Sequence, residues 1–80
     1  MATPVVELDA TAVDVTVSED LLRVVLADGR ELAAPLAWFP RLRDATPAQR
    51  TTWRLIGRGQ GIHWPEVDEE ISIASLLRAN

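Results

Sequence analysis

The chain has 80 residues, 48% of them hydrophobic, and a formal net charge of −4. This length fits a single domain, residues 1–80, and the apolar share is too high for a disordered protein. The chain has no cysteine for a disulfide or a thiolate metal site, and no segment typical of a signal peptide or a membrane span, so we expect a cytoplasmic protein.

The first half of the chain predicts three antiparallel strands. Residues 12–18 alternate apolar and polar side chains, as is typical of a half-buried strand. Residues 21–26 are rich in β-forming residues, and Asp28-Gly29 is a strong hairpin signal before a partner strand over 31–34. The proline that follows ends this strand because it has no N–H for the ladder. An additional edge strand is predicted over residues 5–8.

Short helices are predicted in the middle and at the end of the chain. Pro40 fits the first turn of a helix, where its missing N–H costs no hydrogen bond. Thr46-Pro47 combines a capping residue with proline at the first helical position, and the helix continues over 48–53. Apolar side chains at helical spacing predict a last helix that begins near Ile71 or Ser72.

A later pair of strands, residues 54–57 and 62–64, is predicted around a glycine-rich turn, with an acidic loop over 66–70. The fold class is therefore expected to be α+β. A small antiparallel sheet combines an N-terminal hairpin or meander with the later pair of strands, and two or three short helices pack on it.

The glycine-rich turn is not typical of a nucleotide site. A phosphate-binding loop needs Lys and Ser/Thr after its last glycine, where this chain has Ile62 and His63. A dinucleotide fingerprint needs a full helix there, and Trp64-Pro65 excludes one. His63 is the only histidine, and no nucleophile motif accompanies it. We therefore predict no catalytic residue, cofactor or metal, and no enzymatic activity.

Charged side chains provide the candidate interaction surface. Segment 41–58 contains five arginines and one aspartate, a local net charge of +4, and four acidic residues follow between 66 and 70. Because an acidic domain repels nucleic-acid phosphates at long range, pairing within the molecule or with a protein is favoured. The candidate residues are Arg41, Arg43, Arg50, Arg54, Arg58, Glu66, Asp68, Glu69 and Glu70.

A candidate pocket is formed by Trp38, His63 and Trp64. The simpler interpretation of the tryptophans, Trp53 included, is that they provide most of the core of a small protein. Similarly, His63 is more simply explained as a structural or surface-pocket residue than as a catalytic base.

Several motifs together resemble the bacterial family catalogued as domain of unknown function 2442. They are Leu36-Ala-Trp-Phe-Pro-Arg-Leu42, Thr46-Pro47-Ala-Gln-Arg50, Trp53-Arg-Leu-Ile-Gly57, Gly61-Ile-His-Trp-Pro65 and Asp68-Glu-Glu-Ile-Ser72. The resemblance covers essentially the whole chain and implies a compact α+β domain. It also implies a small protein encoded beside another, in a toxin–antitoxin-like arrangement, and it supplies no catalytic residues.

Three functions remain open. The first is a non-enzymatic protein-interaction module, an antitoxin-like partner of a neighbouring small bacterial protein, whose acidic surface would meet a basic one. The second is a nucleic-acid-binding or regulatory domain that uses segment 41–58. The third is a small-ligand site at the candidate pocket. An exposed sheet edge also makes a homodimer an expected possibility.

Overall fold

The computed structural model describes residues 7–79, which form two three-stranded antiparallel sheets and three short helices. The first sheet has the spatial order β1-β2-β3 and consists of β1 (Ala12–Val17), β2 (Leu21–Leu26) and β3 (Glu31–Pro35). The second has the order β4-β5-β6 and consists of β4 (Arg54–Ile56), β5 (Gly61–Trp64) and β6 (Glu69–Ser72). The helices are α1 (Pro40–Arg43), α2 (Pro47–Thr51) and α3 (Ile73–Ala79), and short 3₁₀ turns cover Leu36–Trp38 and Gly57–Gly59.

The predicted α+β class and the three-stranded N-terminal meander are confirmed. The second sheet differs from the prediction, because Glu69 and Glu70 belong to β6 and not to an acidic loop. Their strand conformation comes from pairing with Trp64 and His63 of β5, although glutamate has a low β propensity. Of the edge strand predicted over 5–8, residues 7 and 8 have no regular structure and the other two lie outside the described residues.

The first sheet places alternate side chains toward the core. A bulge between Ala12 and Asp14 interrupts the alternation in β1, so that Ala12 and Val15 are both buried while Val13 is 54% exposed. The hairpin between β2 and β3 turns at Gly29, whose φ of +92° favours glycine.

Helix α2 begins as its sequence predicts. Thr46 Oγ1 accepts a hydrogen bond from Gln49 N at 3.1 Å, and Gln49 Oε1 accepts one from Thr46 N at 2.9 Å. This capping box satisfies two of the N–H groups that the start of a helix leaves unpaired. The helix ends two residues earlier than predicted, at Thr51, because the hydroxyls of Thr51 and Thr52 both bond to the carbonyl of Ala48.

The inner faces of both sheets and the buried sides of α1 and α3 pack together in one hydrophobic core. Trp64 is its largest member and is fully buried, which contributes about 4–6 kcal/mol of apolar burial. Its indole Nε1 donates to the carbonyl of Arg50 at 3.2 Å, so its polar atom is also satisfied. The other two tryptophans differ from the expected core role. Trp53 is only partly buried, and Trp38, on the first 3₁₀ turn, is 52% exposed.

A close backbone approach joins the second sheet to the first. A Cβ on Gly59 would lie 2.9 Å from Ala12 O and 3.0 Å from Thr11 Cβ, and Gly59 also has a φ of +85°. Only glycine fits this contact without a shift of the backbone. Over residues 7–79, no helix has the length and apolar character that crossing a bilayer requires.

Candidate functional site

Arg50 supports the fold from the middle of the arginine-rich segment. Its Nε donates to Leu42 O at 3.0 Å and its Nη2 donates to Arg43 O at 2.7 Å. These carbonyls lie at the end of α1, where the helical hydrogen-bond ladder runs out, although Leu42 O also accepts a hydrogen bond from Ala45 N at 3.2 Å. The Arg50 guanidinium therefore links α2 to the C-terminus of α1 through two of its five N–H donors.

The other four arginines of the segment differ in their contacts. Arg43 pairs with its neighbour Asp44 at 3.1 Å. Arg41 reaches across the molecule to the turn before β6, where its Nη1 donates to the carbonyl of Asp68 and lies 3.7 Å from the Asp68 carboxylate. Arg54 and Arg58 are exposed, and within the described residues neither forms an ion pair.

The acidic residues 66–70 divide between a turn and a strand. Glu66 is exposed on the turn, and Asp68 adopts a left-handed conformation with a φ of +52°. Glu69 Oε1 accepts a hydrogen bond from Glu70 N at 3.0 Å, which satisfies an amide of the edge strand β6. The sequence-predicted residues that the structure brings together are thus Arg41, Asp68, Glu69 and Glu70.

His63 lies in a cross-strand row with Arg54 of β4 and Glu70 of β6, on the outer face of the second sheet. Its Nδ1 is buried and forms no hydrogen bond. Trp64, the next residue of β5, points to the opposite face and into the core. Three surface cavities, at β6, at the start of α3 and at the turn between β1 and β2, are lined by other residues, and Trp38, His63 and Trp64 belong to none of these three.

A solvent-open cavity of about 370 Å³ lies on the outer face of the second sheet, beside the row that contains His63. Its floor includes the cross-strand partners Ile56, Gly61 and Ser72. A Cβ on Gly61 would lie 3.0 Å from Ile56 Cγ1, so the absence of a side chain at Gly61 leaves room for the Ile56 side chain over β5. The full lining is Phe39, Ile56, Gly61, Glu69, Glu70, Ile71, Ser72 and Ser75.

Two serines form a closed hydrogen-bond arrangement at the cavity. Ser72 Oγ accepts from Ser75 N at 3.1 Å, as a capping residue does at the start of a helix, and donates to Ser75 Oγ at 2.9 Å. Ser75 Oγ in turn donates to the carbonyl of Ser72 at 2.8 Å. Both hydroxyl hydrogens are used within this arrangement, and the serines therefore offer only lone pairs to the cavity.

Trp38, the Arg41–Asp68 pair and the cavity are neighbours, and together we call them the Trp38 surface. Phe39 lines the cavity and directly follows Trp38, while Asp68 directly precedes the cavity residue Glu69. Sequence reasoning missed Phe39, Ile56 and the two serines. The Ser72-x-x-Ser75 spacing is a capping signal that the sequence does carry, whereas no local pattern places Phe39 against β6.

Within residues 7–79, no three His, Cys, Asp or Glu side chains converge as metal ligands. The strongly perturbed carboxyl belongs instead to the hairpin between β2 and β3. There, hydrogen bonds from the Arg30 side chain and backbone lower the pKa of Asp28 to about 2. Thr11 lowers the pKa of Asp9 in the adjoining segment by the same kind of hydrogen bonding.

Comparison with known proteins agrees with the fold and with the family resemblance. The model of a family described as "Protein of unknown function (DUF2442)" matches residues 12–80. The crystal structure of a protein of unknown function from Rhodospirillum rubrum ATCC 11170 is similar to this chain, with a TM-score of 0.72 and 25% sequence identity. The similarity covers 86% of each chain. No curated protein sequence matches.

Proposed function

The chain belongs to the DUF2442 family, and on that premise we propose that it is a non-enzymatic protein-interaction module. Its partner is another small protein, encoded nearby in an antitoxin-like arrangement, and the complex forms in the cytoplasm. The Trp38 surface makes the contact.

The exposure of Trp38 is the observation that carries this proposal. Half of its side chain faces solvent on a short turn, while Trp64 is sealed in the core. Tryptophan and arginine are the residue types most enriched among those that dominate protein interfaces. Arg41, three residues from Trp38, is 61% exposed and is held in place by Asp68. An indole and an oriented guanidinium are thus presented together.

Charge supports a basic partner. The chain has 12 acids against 8 arginines, and several exposed carboxylates form no ion pair within the described residues, among them Glu66 and Glu70. Complementary charge speeds encounter and excludes wrong partners. The acidic side of β6, next to Trp38, is the part of this surface that a basic protein would meet.

The nucleic-acid alternative has less support from the geometry. Arg50 bonds to two carbonyls at the end of α1. Arg43 and Arg41 each lie beside an aspartate, Asp44 and Asp68, whose negative charge opposes phosphate binding. Phosphate binding depends on several unopposed cations, and of the five arginines of segment 41–58 only Arg54 and Arg58 have neither an ion pair nor a side-chain hydrogen bond in the described part of the chain.

Co-purification with the product of the adjacent gene tests the proposal. We expect a stable complex with the wild type and a loss of at least about thirtyfold in affinity with Trp38→Ala, as for an interface hot spot. Val13→Ala is the matched control, since Val13 is equally exposed, at 54%, on β1. A complex that forms equally well with both variants, or no complex at micromolar concentration, would contradict the proposal. Sedimentation of the protein alone identifies a homodimer, the other partner that we consider.

A further inference from the structure

We propose that the cavity beside Trp38 receives the guanidinium of an arginine side chain presented by the partner protein. This inference rests on the proposed function and names the chemistry that the partner must carry. The hydrogen-bonding capacity of the lining, its charge and its shape each favour a guanidinium.

The polar lining accepts hydrogen bonds and has few donors to give. The hydroxyl hydrogens of Ser72 and Ser75 are already bonded to Ser75 Oγ and to the Ser72 carbonyl. The N–H groups of Glu70 and Ser75 are bonded to Glu69 Oε1 and Ser72 Oγ. What remains is the lone pairs of the serines and the carboxylate oxygens of Glu70, which shares the outer face of β6 with Ser72. An anion would find almost no donors here, whereas guanidinium has five donors and no acceptor.

The charge of the cavity is not balanced from within. Both charged residues in the lining are glutamates, Glu69 and Glu70. Two arginines of neighbouring elements do not pair with these glutamates. Arg41 bonds to Asp68, and Arg54 is separated from Glu70 by β5, the intervening strand that carries His63. A positive group from outside would therefore complete the site.

The shape favours arginine over lysine. The cavity is about 370 Å³, at the lower end of the range for small-molecule sites, roughly 300–1,000 Å³, and it therefore suits one side chain. Phe39 provides an aromatic wall and Ile56 an aliphatic one. A planar guanidinium can stack on an aromatic ring while its edge bonds to a carboxylate, and an ammonium group cannot make both contacts in this way.

A titration with N-acetyl-arginine amide, followed by amide NMR of the full chain, tests the inference. We expect saturable shifts at Ile56, Gly61 and Ser72, with a dissociation constant of roughly 1–10 mM. N-acetyl-citrulline amide is the neutral isostere and should give none, and N-acetyl-lysine amide should bind more weakly. In the Glu70→Gln variant, affinity for the arginine probe should fall about two- to fivefold. Glu31→Gln removes the same charge from β3 of the first sheet, where Glu31 is exposed, and should have no effect.

Shifts that are equal for the arginine and citrulline probes, or equal in the two glutamine variants, would overturn the inference. The co-purified complex supplies a separate readout. If the partner binds the wild type and Glu70→Gln with equal affinity, the cavity is not used and the inference fails, while the protein-interaction role stands. If the arginine probe binds at the cavity but no protein co-purifies, the interaction role fails. The cavity is then a site for a small free cation, and this result contradicts the protein partner assigned here.

Discussion

Replacing Arg50 by alanine should destabilise the fold, although the sequence makes Arg50 a candidate for partner contact. The substitution removes two hydrogen bonds from a charged donor to the end of α1, at 3.0 and 2.7 Å. Each such bond contributes about 1.5–3 kcal/mol when fully buried. Arg50 is only partly buried, and water can replace part of the loss, so we expect a total cost of about 2 kcal/mol. For a domain of this size this lowers Tm by about 8–16 °C.

Urea and thermal unfolding followed by circular dichroism measure this cost. Arg54→Ala is the matched control, since Arg54 is exposed without an ion pair in the described residues, and its effect should stay within about 0.5 kcal/mol. Arg50→Lys keeps the charge but loses the fork, so it should fall between the two, at about 1 kcal/mol. Equal stability of Arg50→Ala and Arg54→Ala would refute the structural role of Arg50.

Three further outcomes are expected. In urea unfolding, Gly59→Ala should cost at least about 2 kcal/mol more than Gly29→Ala. Both glycines have a positive φ, but only at Gly59 would an added Cβ meet the backbone, 2.9 Å from Ala12 O. Equal costs would contradict the close approach. The pKa of Asp28 is about 2 in the fold and 3.8 ordinarily, so the unfolded chain binds more protons in this range. The stabilisation is therefore complete above about pH 5 and is lost as the pH falls toward 2. Unfolding measured from pH 2 to 5 should show this slope in the wild type, and the slope should be shallower in Asp28→Asn. Trp38→Ala should cost at most about half as much free energy of unfolding as Trp64→Ala, because the Trp38 indole is half exposed and the Trp64 indole is buried. Equal losses would assign Trp38 to the fold and not to an interface.

The sequence predicts the elements whose signals are local. The strand over residues 12–17, the Asp28-Gly29 turn and the Thr46-Pro47 helix start each depend on neighbours in the chain, and each is present. Within the strand, the bulge between Ala12 and Asp14 breaks the predicted alternation and leaves Val13 exposed. Strand β6 is different, because Glu69 and Glu70 are poor strand formers and become a strand by pairing with β5. Pairing of this kind leaves no local pattern.

The site is harder to predict for the same physical reason. The roles of Arg50 and Arg41 depend on which distant carbonyls their long side chains reach, at Leu42 and at Asp68. The cavity combines residues from 39 to 75, and its lack of donors depends on hydrogen bonds between Ser72 and Ser75. The sequence supplies the acids Glu69 and Glu70 as candidates. The sequence does not predict that Phe39 lines the cavity or that Trp38 is exposed.

The most direct measurement of the central claim is ¹⁹F NMR of the chain labelled with 5-fluorotryptophan, alone and with the co-purified partner. The three tryptophans give three resonances, and Trp38→Phe identifies the one from Trp38. The interaction account predicts that the Trp38 resonance shifts and loses its contact with solvent on binding, while the Trp64 resonance stays in place. A Trp38 resonance that remains unchanged and solvent-exposed in a saturated complex would contradict it.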